Sequence, residues 1–86
     1  MKDMNKLNDQ ELEQVAGGIS QDEALAKALE HAGLTKDQLD FVKKIELDWE
    51  NGRQIYEVEF IKGRFEYEFD IDATTADILK FKKDWD

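Results

Sequence analysis

The chain has 86 residues, 41% hydrophobic and 38% charged, with no cysteine and a formal net charge of −9. That length supports one small domain with a single modest core, and the missing cysteines exclude a disulfide framework, a thiolate metal site and a cysteine nucleophile. The negative charge sets aside nucleic acid and anionic lipid, which would be repelled at long range, and favours a neutral or basic protein surface as partner.

The first segment is MKDMNKLNDQELEQVAGG, residues 1–18. Its apolar residues Met4, Leu7, Leu12, Val15 and Ala16 share one broad helical stripe, but a peptide this short is marginal as an isolated helix. It is therefore expected to be disordered, or helical only against a partner. Polar and charged residues interrupt it too often for a secretory signal peptide. Nowhere does the chain approach the roughly 18–20 apolar residues that span a bilayer, so no stable membrane insertion is expected. Gly17 and Gly18 end the segment, either as a helix stop and linker or as a mark for cleavage.

After the glycines the local signals are unusually complete. Ser20 and Glu23 have capping-box spacing, Ile19 can staple onto Ala24, and Ala24, Leu25, Ala28, Leu29 and Ala32 make one apolar face before Gly33. These features predict a helix over residues 20–32. Thr35 and Gln38 repeat the capping spacing, which predicts a short second helical turn over 36–41.

From Lys43 the hydrophobic period falls to two. Ile45, Leu47 and Trp49 share one face, followed by Tyr56, Val58 and Phe60, and then by Phe65, Tyr67, Phe69 and Ile71. Asn51-Gly52 is a strong two-residue hairpin signal and Lys62-Gly63 a weaker one. These loops would set Leu47 opposite Tyr56, Ile45 opposite Val58, Phe60 opposite Phe65, and Val58 opposite Tyr67. A fourth strand over 78–83 would place Ile71 against Leu79, Phe69 against Phe81, Asp70 against Lys80, and Glu68 against Lys82. The expected fold is α+β, one main helix and a minor second one on a four-stranded antiparallel meander.

The polar face of that sheet is rich in carboxylates. The expected register lines up Glu46, Glu57 and Glu68 and sets Glu59 against Glu66, with Lys44 meeting Glu59. Such rows are commonly a solvated face, and opposed like charges destabilise a sheet. Glu46, Glu57, Glu59, Glu66 and Glu68 nevertheless form a candidate acidic docking face for a basic partner. A weak calcium site built from the same carboxylate oxygens is a minor alternative, since no EF-hand loop accompanies them, and no metal ligand or cofactor is assigned. His31, the single histidine, falls at the helix end, where the dipole favours a cation. With no further histidine for a triad, no catalytic residue is assigned and the chain is not expected to be an enzyme.

Two resemblances follow from these residues. Leu7, Glu11, Leu12, Val15, Gly17 and Gly18 fall in register with the double-glycine leader of bacteriocin-type secreted peptides, with Asn8 in place of the usual serine. The resemblance implies that Leu7, Glu11, Leu12 and Val15 are recognised by the cysteine-peptidase domain of a peptidase-containing ABC transporter. Cleavage would follow Gly18, and a chain synthesised in the bacterial cytoplasm would be secreted. The physical basis is a helix laid in a groove, followed by a glycine pair slim enough for a narrow channel. ISQDEALAKALEHAG, WENGRQIYEVEF and EYEFDIDATTADIL resemble a PepSY domain, although Thr75 and Ala76 stand where that family carries glycine. This second resemblance implies a domain from Ile19 to Asp86 that binds or inhibits a secreted peptidase. Two other readings are a bacteriocin-like antimicrobial, which the acidic cargo disfavours, and an uncleaved cytosolic binding module.

Overall fold

The computed structural model describes residues 18–85. Leu7, Glu11, Leu12, Val15 and Gly17 lie outside the described residues, as does Asp86. The elements are helix α1 (Gln21–Ala32), a 3-10 turn (Lys36–Gln38), and strands β1 (Phe41–Glu50), β2 (Arg53–Lys62), β3 (Phe65–Asp72) and β4 (Ile78–Trp85). The strands form one antiparallel sheet in the order β1-β2-β3-β4, the expected meander.

Helix α1 begins and ends as its sequence dictates. The Ser20 Oγ accepts from the Glu23 N–H at 3.2 Å, and the Ser20 N–H donates to Glu23 Oε1 at 2.8 Å. Gly33 closes the helix at φ 74, and the Leu34 N–H reaches back to the Leu29 carbonyl at 2.9 Å. The left-handed glycine lets the last carbonyls be satisfied while Leu34 turns onto the core. Ala24 and Ala28 are fully buried, and their small side chains let α1 settle close to the sheet. The core joins them to Leu25, Leu29, Tyr56, Val58, Phe60, Tyr67, Phe69 and Ile71, so every residue expected on the inner face of β2 is buried there. Ile55, on the other face, is also buried; it shares a shallow depression with Leu79 and Asp70.

The expected second helix contracts to a single 3-10 turn. Leu39 is already extended at ψ 146 and β1 begins at Phe41, so only Lys36–Gln38 remains helical.

Strand register holds for the first hairpin and moves for the second. Asn51 and Gly52 both adopt positive φ, 53 and 80, and Leu47 pairs with Tyr56 and Ile45 with Val58 as expected. In the second hairpin Lys62 pairs with Phe65, so the two-residue loop is Gly63-Arg64 rather than Lys62-Gly63. Gly63 has φ 63 at the first loop position, the place where a type II′ turn requires glycine. Phe60 therefore faces Tyr67 instead of Phe65, and Val58 faces Phe69 instead of Tyr67. The displacement is an even number of residues, which leaves every side chain on its predicted face.

Two bulges complete the sheet. Lys43 is the extra residue between Val42 and Lys44, which allows Val42 and Ile45 to face the core despite their odd spacing. In β4 the register shifts beside Ile71, so Ile71 pairs with Ile78 and Leu79 is the extra residue, correcting the expected Ile71–Leu79 pair. Phe69–Phe81, Asp70–Lys80 and Glu68–Lys82 pair as expected.

The β3–β4 turn contains the non-glycine residue Ala76 at φ 72. Its N–H donates to the Asp72 carbonyl at 2.8 Å, so the tight turn is made even though a Cβ is disfavoured there. Ala76→Gly should stabilise the domain by about 0.5–1 kcal/mol, the relief of left-handed strain less the extra freedom of an unfolded glycine. A higher urea midpoint at unchanged slope is the expected result.

Candidate functional site

The outer face of the sheet carries the carboxylates, but the shifted second hairpin changes which of them meet. The rows across the sheet are Glu46–Glu57–Asp70–Lys80 and Lys44–Glu59–Glu68–Lys82. The expected Glu46–Glu57–Glu68 row and the Glu59–Glu66 pair do not form, because the type II′ turn moves β3 by two residues against β2. Each observed row ends in a lysine on β4, and the second begins with one on β1. In the second row the opposed pair Glu59–Glu68 is thus flanked by cations on both sides.

Lys44 holds the centre of this face. Its Nζ lies 2.9 Å from Glu57, 3.5 Å from Glu46 and 3.6 Å from Glu59. The hydrogen bond to Glu57 is the main reason its pKa is raised above the usual lysine value, with the surrounding carboxylates adding to it against partial burial. The bulged Lys43 reaches Glu66 at 2.8 Å. One bulge thus sends adjacent lysines to different carboxylates. Asp70, with a pKa raised by burial and by Glu50, is only partly relieved by Lys80.

Carboxylate oxygens of Glu59, Glu66 and Glu68 approach within 4.8 Å of one another. Lys43 already pairs with Glu66 and Lys44 with Glu59, so two of the three side chains have ammonium partners with which a cation would have to compete. A shallow depression of about 250 Å³ beside them is lined by Lys44, Glu57, Glu59, Glu68, Asp70 and Lys80. Its lining is charged and contains no nucleophile paired with a base. The arrangement suits contact with another charged surface.

At the sheet end nearest α1's start, Asp72 Oδ1 accepts the N–H groups of Thr74 at 2.8 Å and Thr75 at 3.0 Å, and Arg53 lies 3.3 Å from Oδ2. The Thr75 and Thr74 N–H bonds hold its carboxyl below the usual range. Asp72→Ala should cost about 1–2 kcal/mol near neutral pH, the value of a charge-assisted turn contact. The native carboxylate's contribution is complete above about pH 4, the ordinary unfolded value, and is lost as pH falls through the lower folded value. Urea unfolding of the two proteins should therefore converge in acid.

His31 sits edge-on against Phe69 at 5.8 Å and Phe81 at 5.1 Å between ring centroids. Its ring is used in packing at the last turn of α1, as well as lying near the helix end. Around it, the inner face of β4 is left open. Helix α1 packs over β1, β2 and β3, leaving Phe81 42% and Trp85 66% exposed. Lys83 lies 4.4 Å from the Phe65 ring and Arg64 lies 5.8 Å from Trp85. Sequence alternation places these aromatics inward, but one helix, about 10 Å across, is narrower than four strands spaced about 4.8 Å apart. A single long helical segment for four strands was the signal that this strip would stay open.

The segment that opens the domain is held firmly. The Ile19 N–H donates to the Ala73 carbonyl at 2.9 Å, and the Ile19 carbonyl accepts from the Tyr56 hydroxyl at 3.0 Å. Gly18 and Ile19 are half-buried, and the Ile19 side chain packs on the core. The PepSY family, described as "Peptidase propeptide and YPEB domain", matches residues 18–82. The chain belongs to the PepSY family. The chain is also 34% identical over 62 residues to "Uncharacterized protein Spy1430" of Streptococcus pyogenes serotype M6, covering 72% of this chain and 47% of that protein. The match thus spans about half the length of that relative. No solved structure matches the chain. A PepSY domain is a propeptide-like or inhibitor-like module, and no enzyme family is indicated.

Proposed function

We propose that the protein is a precursor with a double-glycine leader, residues 1–18, and a PepSY cargo that is exported and then binds a peptidase. The supporting observation is that the PepSY match begins at residue 18, directly after which Ile19 is tied to Ala73 and Tyr56. Everything α1 needs for its start lies at Ile19 and beyond. The preceding stretch keeps the leader register of Leu7, Glu11, Leu12, Val15, Gly17 and Gly18. On this reading the leader enters the groove of a transporter's cysteine-peptidase domain, which cuts after Gly18.

The freed domain would meet its target through the outer face around Glu46, Glu57, Glu59, Glu66 and Glu68. Lys43 and Lys44 neutralise part of that face, which leaves the remaining carboxylate oxygens to choose a basic partner. Charge complementarity of this kind acts chiefly on association rate and specificity.

Incubation with the cysteine-peptidase domain of a peptidase-containing ABC transporter, read by mass spectrometry, is the test. A product starting at Ile19 is expected, and Leu12→Ala should slow its appearance by at least about tenfold, since one buried leucine is worth about 1.5–3 kcal/mol. Gly18→Val should abolish it. Persistence of the intact chain under conditions that cut a known double-glycine substrate would refute the leader. The cargo reading is tested separately, by inhibition of secreted metallopeptidases with the processed domain and with its Glu57→Lys, Glu59→Lys variant.

A further inference from the structure

The bond proposed for cleavage, Gly18–Ile19, is fastened to the folded domain. Both backbone groups of Ile19 are engaged, its N–H with Ala73 and its carbonyl with the Tyr56 hydroxyl, and its side chain packs on the core. Tyr56 is itself fully buried, so it does not swing away with the surface. Directly afterwards Ser20 is the helix cap and Gln21 the first helical residue. Gln21 adds a further tie, donating from Nε2 to the Ile45 carbonyl at 3.1 Å. The three residues on the carboxyl side of the bond are therefore a latch, a cap and a helix start.

A peptidase that threads its substrate as an extended chain needs these residues away from the sheet. Resting on the leader reading, we infer that the PepSY fold itself regulates processing: the Gly18–Ile19 bond is cut when Ile19 has left Ala73 and Tyr56, so cleavage precedes folding or waits for local opening. Cleavage then follows the population of the open form when opening and closing are fast. Hydrolysis of this amide adds one water and leaves a Gly18 carboxylate and an Ile19 amine. That amine can return to the Ala73 carbonyl as a donor, so the processed domain recovers the latch. The fold would thus be inert as a substrate and intact as a product.

The test compares four full-length chains with the same transporter peptidase domain: the unaltered protein, Tyr56→Phe, Phe60→Ala as an unfolded substrate, and a chain with a four-residue glycine-serine spacer after Gly18. The spacer moves the cut bond off the latch without touching the domain. Phe60→Ala and the spacer chain should be cut at least about tenfold faster than the unaltered protein, with Tyr56→Phe in between, since one lost hydrogen bond shifts opening by a factor of several. Equal rates for the unaltered, spacer and Phe60→Ala chains would overturn the latch while leaving the leader reading intact. Failure of all four to be cut, the unfolded one included, would overturn the leader reading and the latch with it.

Discussion

Phe60→Ala is expected to leave the domain largely unfolded. Phe60 is fully buried at the centre of β2, stacked on Tyr67 with ring centroids 5.2 Å apart and on Phe69 at 5.7 Å. Truncating a phenylalanine in such a place costs about 3–5 kcal/mol, through lost transfer energy and a cavity that the neighbours fill only in part. A domain this small holds only about 0.05–0.15 kcal/mol per residue, so the loss is comparable to its whole stability. Aromatic stacking adds to the damage, because Tyr67 and Phe69 both lose their ring contact with β2 and keep those with Phe81 and, for Phe69, His31. Far-UV circular dichroism and a urea titration would check this. A variant retaining a cooperative transition near the wild-type midpoint would mean that the core is far more adaptable than its packing indicates.

Lys44→Met is expected to have a large effect for a surface change. It keeps most of the side chain's apolar volume and removes the ammonium that sits among Glu46, Glu57 and Glu59. Each contact is partly solvated and individually worth only a few tenths of a kcal/mol, but the three carboxylates would then repel without a counter-charge, for a total cost of about 1–2 kcal/mol. Salt should shrink the difference by screening. The pH dependence has a definite sign. A lysine whose folded pKa is raised contributes stability in full below its unfolded value of 10.5 and loses it as pH rises through the higher folded value. The wild-type advantage should therefore persist through neutral pH and fade in strong alkali. Equal urea midpoints at neutral pH and low salt would show that Lys44 is not the organiser of this face.

The same substitution bears on the proposed interface. Removing the central cation makes the face more negative, so a basic partner should associate faster with Lys44→Met even though the domain is weaker. Stability and binding would move in opposite directions, which separates a docking role from a purely structural one.

Much of this architecture is legible in the chain. Ser20, Glu23 and Gly33 mark α1 to within one residue, because caps act through neighbouring backbone groups and need no distant partner. Asn51-Gly52 sets the first hairpin for the same reason, both residues tolerating positive φ. Alternation of Tyr56, Val58 and Phe60 assigns the faces of the sheet, and this assignment survives the two-residue movement of β3 because side-chain direction depends only on parity.

Neighbours across strands were less accessible. A glycine beside a polar residue does not announce whether it occupies the first or second place in a turn, and Gly63 took the first. That choice decided that Glu59 lies against Glu68 and Glu57 against Asp70. Nor does a run such as Val42-Lys43-Lys44-Ile45 state where its extra residue bulges, since this is settled by what the partner strand and the core demand together. Sequence by itself determined the helix and the strand faces, because short-range geometry and side-chain parity are properties of the chain. Only the tertiary structure decided which carboxylates share Lys44, which aromatics remain open on β4, and that Ile19 is fastened by Ala73 and Tyr56, residues far along the chain that meet it only when the sheet has formed.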